Sequence, residues 1–331
     1  MAIPSSGPIS FRALSNEFGD TGSVSLSEFL RGGSLVPDFS GNSNVPTTAN
    51  DVDMSDYRGS YDFFEVTLNV LTTQELNLDT YATANGWDGL QPIALTLNTG
   101  RWLWSNSTGA PALLIPATVP YCLLFNYGNI IGKGGVGNGG AGGPAIRDYS
   151  GNLHIANQSG AYIAGGGGGG GGGAYTSGGG GAGGGAGGGP TGNDGYGSFN
   201  GGAGGAVGQS GSNGAGVGSY FGYGGGSGGG GGTTVDRGSK KDNPSGAGGG
   251  GGRVLPGTGG VGPRNAGNGG SAGGAGSSTA GGQWHAGGGG GWGASGGAGT
   301  NGSGGAGGRA ITWSSTQGTV TNSGTIYGGY L

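Results

Sequence analysis

Alternating apolar and polar positions predict short β-strands in residues 61–130. Apolar residues alternate with polar ones along Val66–Val70 and again along Ile93–Leu97. A period of two is typical of a half-buried strand. Between these stretches, Asp79–Asn85 followed by Gly86 has the pattern of a short capped helix. We therefore predict a β-rich domain over 61–130 that supplies most of the ordinary hydrophobic core.

Residues 1–60 contain one short pattern three times, at Ile9–Gly19, Val24–Gly32 and Val52–Gly59. In the second and third copies, a residue suited to an N-cap stands three positions before an acid, and a glycine ends the turn. The copies are either unrelated capped turns or a tandem repeat that suits a threefold partner. If the copies are a tandem repeat, residues 1–60 form an attachment domain. The candidate contacts are the acids and the aromatics that follow them: Glu17, Phe18, Glu28, Phe29, Asp56 and Tyr57.

A second repeat occurs at Asn126–Gly132, Asn157–Gly165 and Asn322–Gly328. Each copy reads as a turn followed by a short apolar strand that contains an isoleucine. We predict that the copies stack as rungs at one end of the molecule. The third copy predicts that residues 311–331 are C-terminal strands that return to the β-rich end.

Residues 131–310 differ from the rest of the chain in composition, because they hold 83 of the 99 glycines. Nine glycines follow one another at Gly165–Gly173, so the strict every-third-residue glycine of collagen is excluded. Isolated polyglycine loses too much backbone entropy on ordering to hold a helix alone. Helices of the polyproline-II type could hold one another through interchain hydrogen bonds. We predict a sandwich of packed polyglycine II helices.

Non-glycine segments interrupt these tracts and carry nearly all of their aromatic and charged side chains. Because loops on a rigid scaffold are common recognition sites, these residues are the candidate receptor contacts. They are Tyr175, Tyr196, Phe199, Tyr220, Phe221, Arg237, Lys240, Lys241, Trp284 and His285.

Charge and reactive residues narrow the classes of function. The net charge is −4, so a nucleic-acid partner is not expected, and residues 1–100 carry most of the acids. The two histidines, His154 and His285, lie in different segments, and Cys122 stands alone in an apolar run. We therefore predict no metal, no cofactor and no internal disulfide. The glycine-rich region has too few acids for paired-carboxylate glycan cleavage, so we do not expect an enzyme. No signal peptide or membrane span is predicted.

Several segments together resemble the glycine-rich distal tail-fibre adhesins, or receptor-recognising proteins, of T-even-like bacteriophages. The resemblance rests on segments spread over most of the chain. They are Pro4–Phe11, Ser25–Gly33, Asp53–Gly59, Ile130–Gly135, Ala161–Gly173, Gly287–Gly297, Ile311–Trp313 and Thr321–Gly329.

The resemblance implies an N-terminal attachment domain on the tip of a trimeric tail-fibre protein, with one adhesin per fibre. It also implies a polyglycine-helix sandwich whose loops bind an outer-membrane protein or lipopolysaccharide of the host. The protein would then be part of the virion, at the tip of the tail fibre. The alternatives are an ice-binding protein and a structural glycine-rich protein. The irregular aromatic and basic interruptions speak against the flat face of the first, and the lack of long uniform repeats speaks against the second.

Overall fold

The computed structural model describes residues 14, 18, 26–32, 36, 42–48, 52–57, 60, 62–137, 139–171, 191–193, 198–200, 215–217, 270–271, 273–276, 287–299, 302–314 and 318–330. These residues are mostly in β-strands and extended segments. The helices among them are short: α1 (Leu78–Ala84) and the 3-10 helices Leu26–Phe29 and Met54–Tyr57.

Three parallel sheets form a body that resembles a β-solenoid. Sheet 1 has the order β1 (Phe64–Leu68), β4 (Ile93–Leu97), β7 (Cys122–Asn126), β10 (Leu153–Asn157), β16 (Thr319–Asn322). Sheet 2 has the order β17 (Thr325–Tyr327), β11 (Tyr162–Ala164), β8 (Asn129–Ile131), β5 (Trp102–Trp104), β2 (Thr72–Gln74). Sheet 3 has the order β15 (Ile311–Thr312), β9 (Ile146–Asp148), β6 (Leu113–Ile115), β3 (Leu76–Asn77). A separate antiparallel sheet contains β12 (Thr191–Asn193), β13 (Ser198–Asn200) and β14 (Ala215–Val217).

The chain passes through the three sheets in turn, and each pass is one rung. Rungs one to three are β1–β3, β4–β6 and β7–β9; rung four is β10, β11 and β15, and rung five is β16 and β17. Strands of successive rungs pair in register, so that Leu95 is aligned with Leu124 and Leu124 with Ile155. Apolar side chains of equal register thereby stack along the interior and form one core.

The observed rungs confirm most of the strand and helix predictions. The three Asn-containing repeats are the first corners and second strands of rungs three, four and five, with Ile130, Ile163 and Ile326 in register. The helix predicted over Asp79–Asn85 is α1, which begins one residue earlier. The Asn77 side chain caps it by accepting a hydrogen bond from the Thr80 amide, at 3.3 Å.

Two details differ from the sequence analysis. Val70 does not continue the inward face of β1, because the strand ends at Leu68 and the chain turns, which leaves Val70 62% exposed. The predicted boundary at residue 130 falls inside β8, and β9–β11 continue the solenoid into the range predicted for the glycine-rich region.

The described glycine-rich segments enter the solenoid at one corner, between sheet 2 and sheet 3. In rung three, residues 132–145 separate β8 from β9, and in rung four, residues 165–310 separate β11 from β15. The segment Gly165–Gly171 is buried. It hydrogen-bonds to residues within 135–143, 287–297 and 305–308, and to Tyr327. These insertions therefore lie side by side, and the solenoid holds both ends of each.

The hydrogen bonds of Gly165–Gly171 repeat every three residues. The amides of Gly166 and Gly169 donate to the 140–143 stretch, while those of Gly168 and Gly171 donate to the 294–297 stretch. The carbonyls of Gly165, Gly168 and Gly171 accept from the 287–293 stretch, again at a spacing of three. Residues three positions apart in Gly165–Gly171 thus contact the same neighbouring stretch.

Candidate functional site

The predicted attachment contacts divide into buried rings and acids near the surface. Phe18, Phe29 and Tyr57 are 4%, 1% and 1% exposed, and they pack edge to face with ring centroids 6.3 Å apart in both pairs. Leu14, Val36 and Val45 complete this cluster. The structure therefore places the three rings in a shared core that joins the three repeats. Their assignment as fibre contacts stays a prediction, since sequence shows the aromatic pattern but not which side it packs against.

The third repeat forms the predicted capping box. Asp53 Oδ1 accepts from the Ser55 amide at 2.8 Å, and Asp56 Oδ2 accepts from the Asp53 amide at 2.7 Å. The Asp56 carboxylate is thus engaged in its own helix start. Glu28 is half-buried, and Glu17 lies outside the described residues.

Burial also shifts the pKa of Tyr57, the last of the three aromatic residues in this cluster. The Tyr57 hydroxyl is buried and has no hydrogen-bond partner among the described residues. Burial raises the pKa of Tyr57, and the neighbouring Asp56 carboxylate raises it further. The hydroxyl therefore stays neutral at physiological pH.

Most of the candidate receptor residues lie outside the described residues. They are Tyr175, Tyr196, Tyr220, Phe221, Arg237, Lys240, Lys241, Trp284 and His285. Phe199 is in β13, the middle strand of the antiparallel sheet, where its backbone is in register with Gly192 and Gly216. The strands of this sheet lie in two of the segments that interrupt the glycine tracts, 190–200 and 209–221. Their assignment to receptor binding stays a prediction.

An aromatic cluster packs the glycine-rich segments onto the outer face of sheet 2. Trp292 is 1% exposed, and its ring centroid lies 6.2 Å from those of both Tyr162 and Tyr327. Ile131 and Ala164 are the other buried members of this cluster. Trp292 is therefore a packing residue, in agreement with its position inside a glycine tract. Its partners Tyr162 and Tyr327 were not predicted from the sequence, although each lies beside the inward isoleucine of a repeat.

The described residues offer little catalytic or metal-binding chemistry. Cys122 is fully buried, and burial raises the pKa of its thiol, as does the nearby Asp148 charge. His154 stacks on Tyr121 with centroids 4.7 Å apart, and its Nδ1 lies 2.6 Å from Thr319 Oγ1. Within the described ranges, His, Cys, Asp and Glu side chains form no group of three that could hold a metal ion. No helix in this part of the chain is long and apolar enough to cross a membrane.

Comparison with known proteins gives a family match and one structural likeness. Residues 65–228, about half of the chain, match the family described as "Phage tail fibre adhesin Gp38". Among solved structures, the chain is similar to one titled "Crystal structure of the gp37-gp38 adhesin tip complex of the bacteriophage S16 long tail fiber". The sequence identity is 23%, the likeness covers 100% of both chains, and the TM-score is 0.48. No curated protein matches the chain significantly. Through residues 65–228, the chain belongs to the Gp38 family of phage tail fibre adhesins.

Proposed function

We propose that this adhesin binds a receptor on the host cell surface through loops held by the glycine-rich scaffold. The observation that carries the proposal is the family match over residues 65–228, which includes three of the interrupting segments, at 174–177, 190–200 and 209–221. Support comes from the topology, because all of residues 165–310 leave and re-enter the solenoid at one corner. The solenoid thus holds both ends of the region whose sequence carries the aromatic and basic interruptions. An outer-membrane protein or lipopolysaccharide is the expected receptor.

The scaffold that we propose is a sandwich of polyglycine II helices. A polyproline-II-type helix has about three residues per turn, and the hydrogen bonds of Gly165–Gly171 repeat every three residues. Such a helix makes no internal hydrogen bonds, which agrees with the donation of its amides to neighbouring stretches. The absence of Cβ atoms lets the backbones approach closely.

The N-terminal region is the proposed attachment site for a trimeric tail-fibre protein, at the virion fibre tip. The aromatic rings of the three repeats share one buried core, and three related units in one chain suit a threefold partner. We expect one adhesin per fibre trimer and a binding role rather than an enzymatic one. Coexpression with the fibre protein and measurement of the complex mass tests this. A homotrimer of the chain alone would contradict the proposal.

Loop exchange tests the receptor assignment. Residues 233–245 or 277–286 are replaced by Gly-Ser segments of equal length, and binding of the purified protein to host cells is measured. We expect at least one exchange to abolish binding while the thermal melting curve is retained. Tyr149→Ser is the control, because Tyr149 is 51% exposed and directly follows the solenoid strand β9. Unchanged adsorption after every loop exchange would exclude these loops as the receptor site.

A further inference from the structure

The last residues of the chain lie across the base of the glycine-rich region. That region leaves the solenoid after β11 and re-enters it at β15. At the point of departure, the Gly165 amide donates to the Tyr327 carbonyl at 3.0 Å. At the point of return, the Ala310 amide donates to the Gly329 carbonyl at 3.0 Å. One short segment, residues 325–330, therefore joins the two ends of the region.

The same segment also contacts the middle of the glycine-rich region. The ring centroid of Tyr327 lies 6.2 Å from that of Trp292. An ideal Cβ on Gly273 would lie 2.9 Å from Tyr327 Cδ1, and one on Gly293 would overlap the Gly328 nitrogen. Four stretches that are far apart in the chain thus meet on this one segment.

Gly328 is the residue at which the segment passes over the returning chain. Its φ is +103°, in the range that favours glycine, and a Cβ there would lie 2.6 Å from the Gly308 carbonyl oxygen. The next residue, Gly329, is exposed, and a Cβ on it meets nothing within 4 Å. The two adjacent glycines therefore form a matched pair, of which only Gly328 is required by the close approach.

Rung five is the least enclosed part of the solenoid. Its strands β16 and β17 are the terminal strands of sheets 1 and 2 among the described residues. Thr319, Thr321 and Asn322 are exposed and the residues of β17 are half-buried, whereas β4 and β7 have three buried residues each. Segments with few buried side chains open at a lower free energy than the core. We therefore expect rung five to detach while rungs two and three stay folded.

The order of the chain makes this segment the last to be placed. It can join both ends of the glycine-rich region only after β15 has paired with β9. Trp313, which follows β15, then donates from its ring Nε1 to the Tyr330 carbonyl. Closure of a long loop costs conformational entropy, and contacts that join its two ends offset this cost. Residues 325–330 supply such contacts.

We propose that residues 325–330 are a clasp, which opens and closes as a unit and fixes the base of the glycine-rich region when it is closed. In the closed state, the Tyr327 and Gly329 carbonyls accept hydrogen bonds from the two ends of the region. In the open state, both ends lose these bonds together, and residues 165–171 and 287–293 lose protection while the core strands stay folded. This conformational device goes beyond the proposed function and does not depend on the receptor.

Amide hydrogen exchange of the full-length chain tests the clasp. In the wild type, the amides of Gly165, Ala310 and Thr325 should have similar protection factors, because one opening event frees all three. Gly328→Ala should raise their exchange rates, and those of residues 287–293, by about tenfold or more, since the clasp no longer closes. Protection of β4 and β7 should stay at the wild-type level, which also shows that the variant is folded. Gly329→Ala is the matched control and should exchange like the wild type.

A second variant keeps the backbone of the clasp and removes its ring. Tyr327→Leu loses the contact with Trp292, so we expect the same set of amides to exchange faster, by a smaller factor than in Gly328→Ala.

Three outcomes would overturn the proposal. The first is a set of wild-type protection factors for Gly165, Ala310 and Thr325 that differ by much more than tenfold, because the segment would then not open as a unit. The second is faster exchange in Gly328→Ala that is confined to residues 325–330. The third is an equal rise in β4 and β7, which would assign the opening to global unfolding. Cell adsorption of the loop-exchange variants tests the proposed function separately.

Discussion

Individual glycines in the buried segments are required because no side chain fits. An ideal Cβ on Gly169 would lie 1.8 Å from the Val136 carbonyl oxygen, and one on Gly166 would lie 1.8 Å from the Lys133 carbonyl oxygen. Real Cβ atoms do not approach backbone oxygens so closely. The neighbouring chain would have to move, and it is itself hydrogen-bonded on other sides. The close approach of neighbouring backbone oxygens therefore explains why these tracts contain glycine rather than alanine.

Gly169→Ala should destabilise the protein by about 3 kcal/mol or more, through overpacking against backbone. The measurement is the free energy of unfolding in urea. Gly329→Ala is the control, since a Cβ there meets nothing within 4 Å. If both variants unfold at the same denaturant concentration as the wild type, the close packing of Gly165–Gly171 is wrong.

Cys122 should be inert in the folded protein. Its pKa is raised by burial first and by Asp148 second, so the reactive thiolate is disfavoured. A raised pKa contributes stability that is fully present below the unfolded thiol pKa of about 8.5 and is lost above it. We expect no alkylation by iodoacetamide between pH 7 and pH 9 without denaturant, and rapid alkylation in urea. Alkylation of the folded chain that increases with pH would contradict this.

Asparagine side chains form a hydrogen-bonded ladder along the last residues of three strands of sheet 1, β7, β10 and β16. Asn126 Nδ2 donates to Asn157 Oδ1 at 2.8 Å, and Asn157 Nδ2 donates to Asn322 Oδ1 at 2.7 Å. The three residues are in register on β7, β10 and β16. Asn126 and Asn157 are buried, whereas Asn322 is exposed at the last rung. The ladder therefore provides hydrogen-bond acceptors for the buried side-chain amides of Asn126 and Asn157.

Asn157→Ala should cost about 2 to 3 kcal/mol, because it leaves the buried Asn126 amide without its main acceptor. Asn322→Ala should cost less, since truncation of the exposed Asn322 side chain opens the Asn157 amide to water. Urea midpoints of the two variants check the difference. Equal losses, or a larger loss for Asn322→Ala, would show that the ladder does not act through burial.

At the scale of the whole molecule, the Trp292 cluster packs the glycine-rich segments against the solenoid. Trp292→Ala should remove the ring that touches Tyr162 and Tyr327, at a local cost of about 3 to 5 kcal/mol. We expect faster amide hydrogen exchange in 287–293 and 165–171, with little change in the core strands β4 and β7. Tyr149→Ala is the control on the exposed surface. Exchange that increases equally in the core strands would contradict a local role.

Local features of this protein follow from the sequence alone. Period-two alternation located β1 and β4, the Asp53 and Asp56 spacing located a capping box, and the asparagine repeats located the later rungs. These features can be read from sequence because each depends on residues close together in the chain. A strand shows its buried face in its own alternation, and a turn shows the residues that its backbone needs.

Which distant segments meet cannot be read from the sequence. Glycine has no side chain and therefore no pattern to distinguish one tract from another, so the pairing of Gly165–Gly171 with its neighbours depends on packing in three dimensions. The burial of Phe18, Phe29 and Tyr57 and the exposure of Val70 and Leu71 likewise depend on what lies opposite each side chain. An aromatic or aliphatic residue has the same sequence signature in a core and on the surface. Its burial depends on the arrangement of the rungs, which hold both ends of the glycine-rich region.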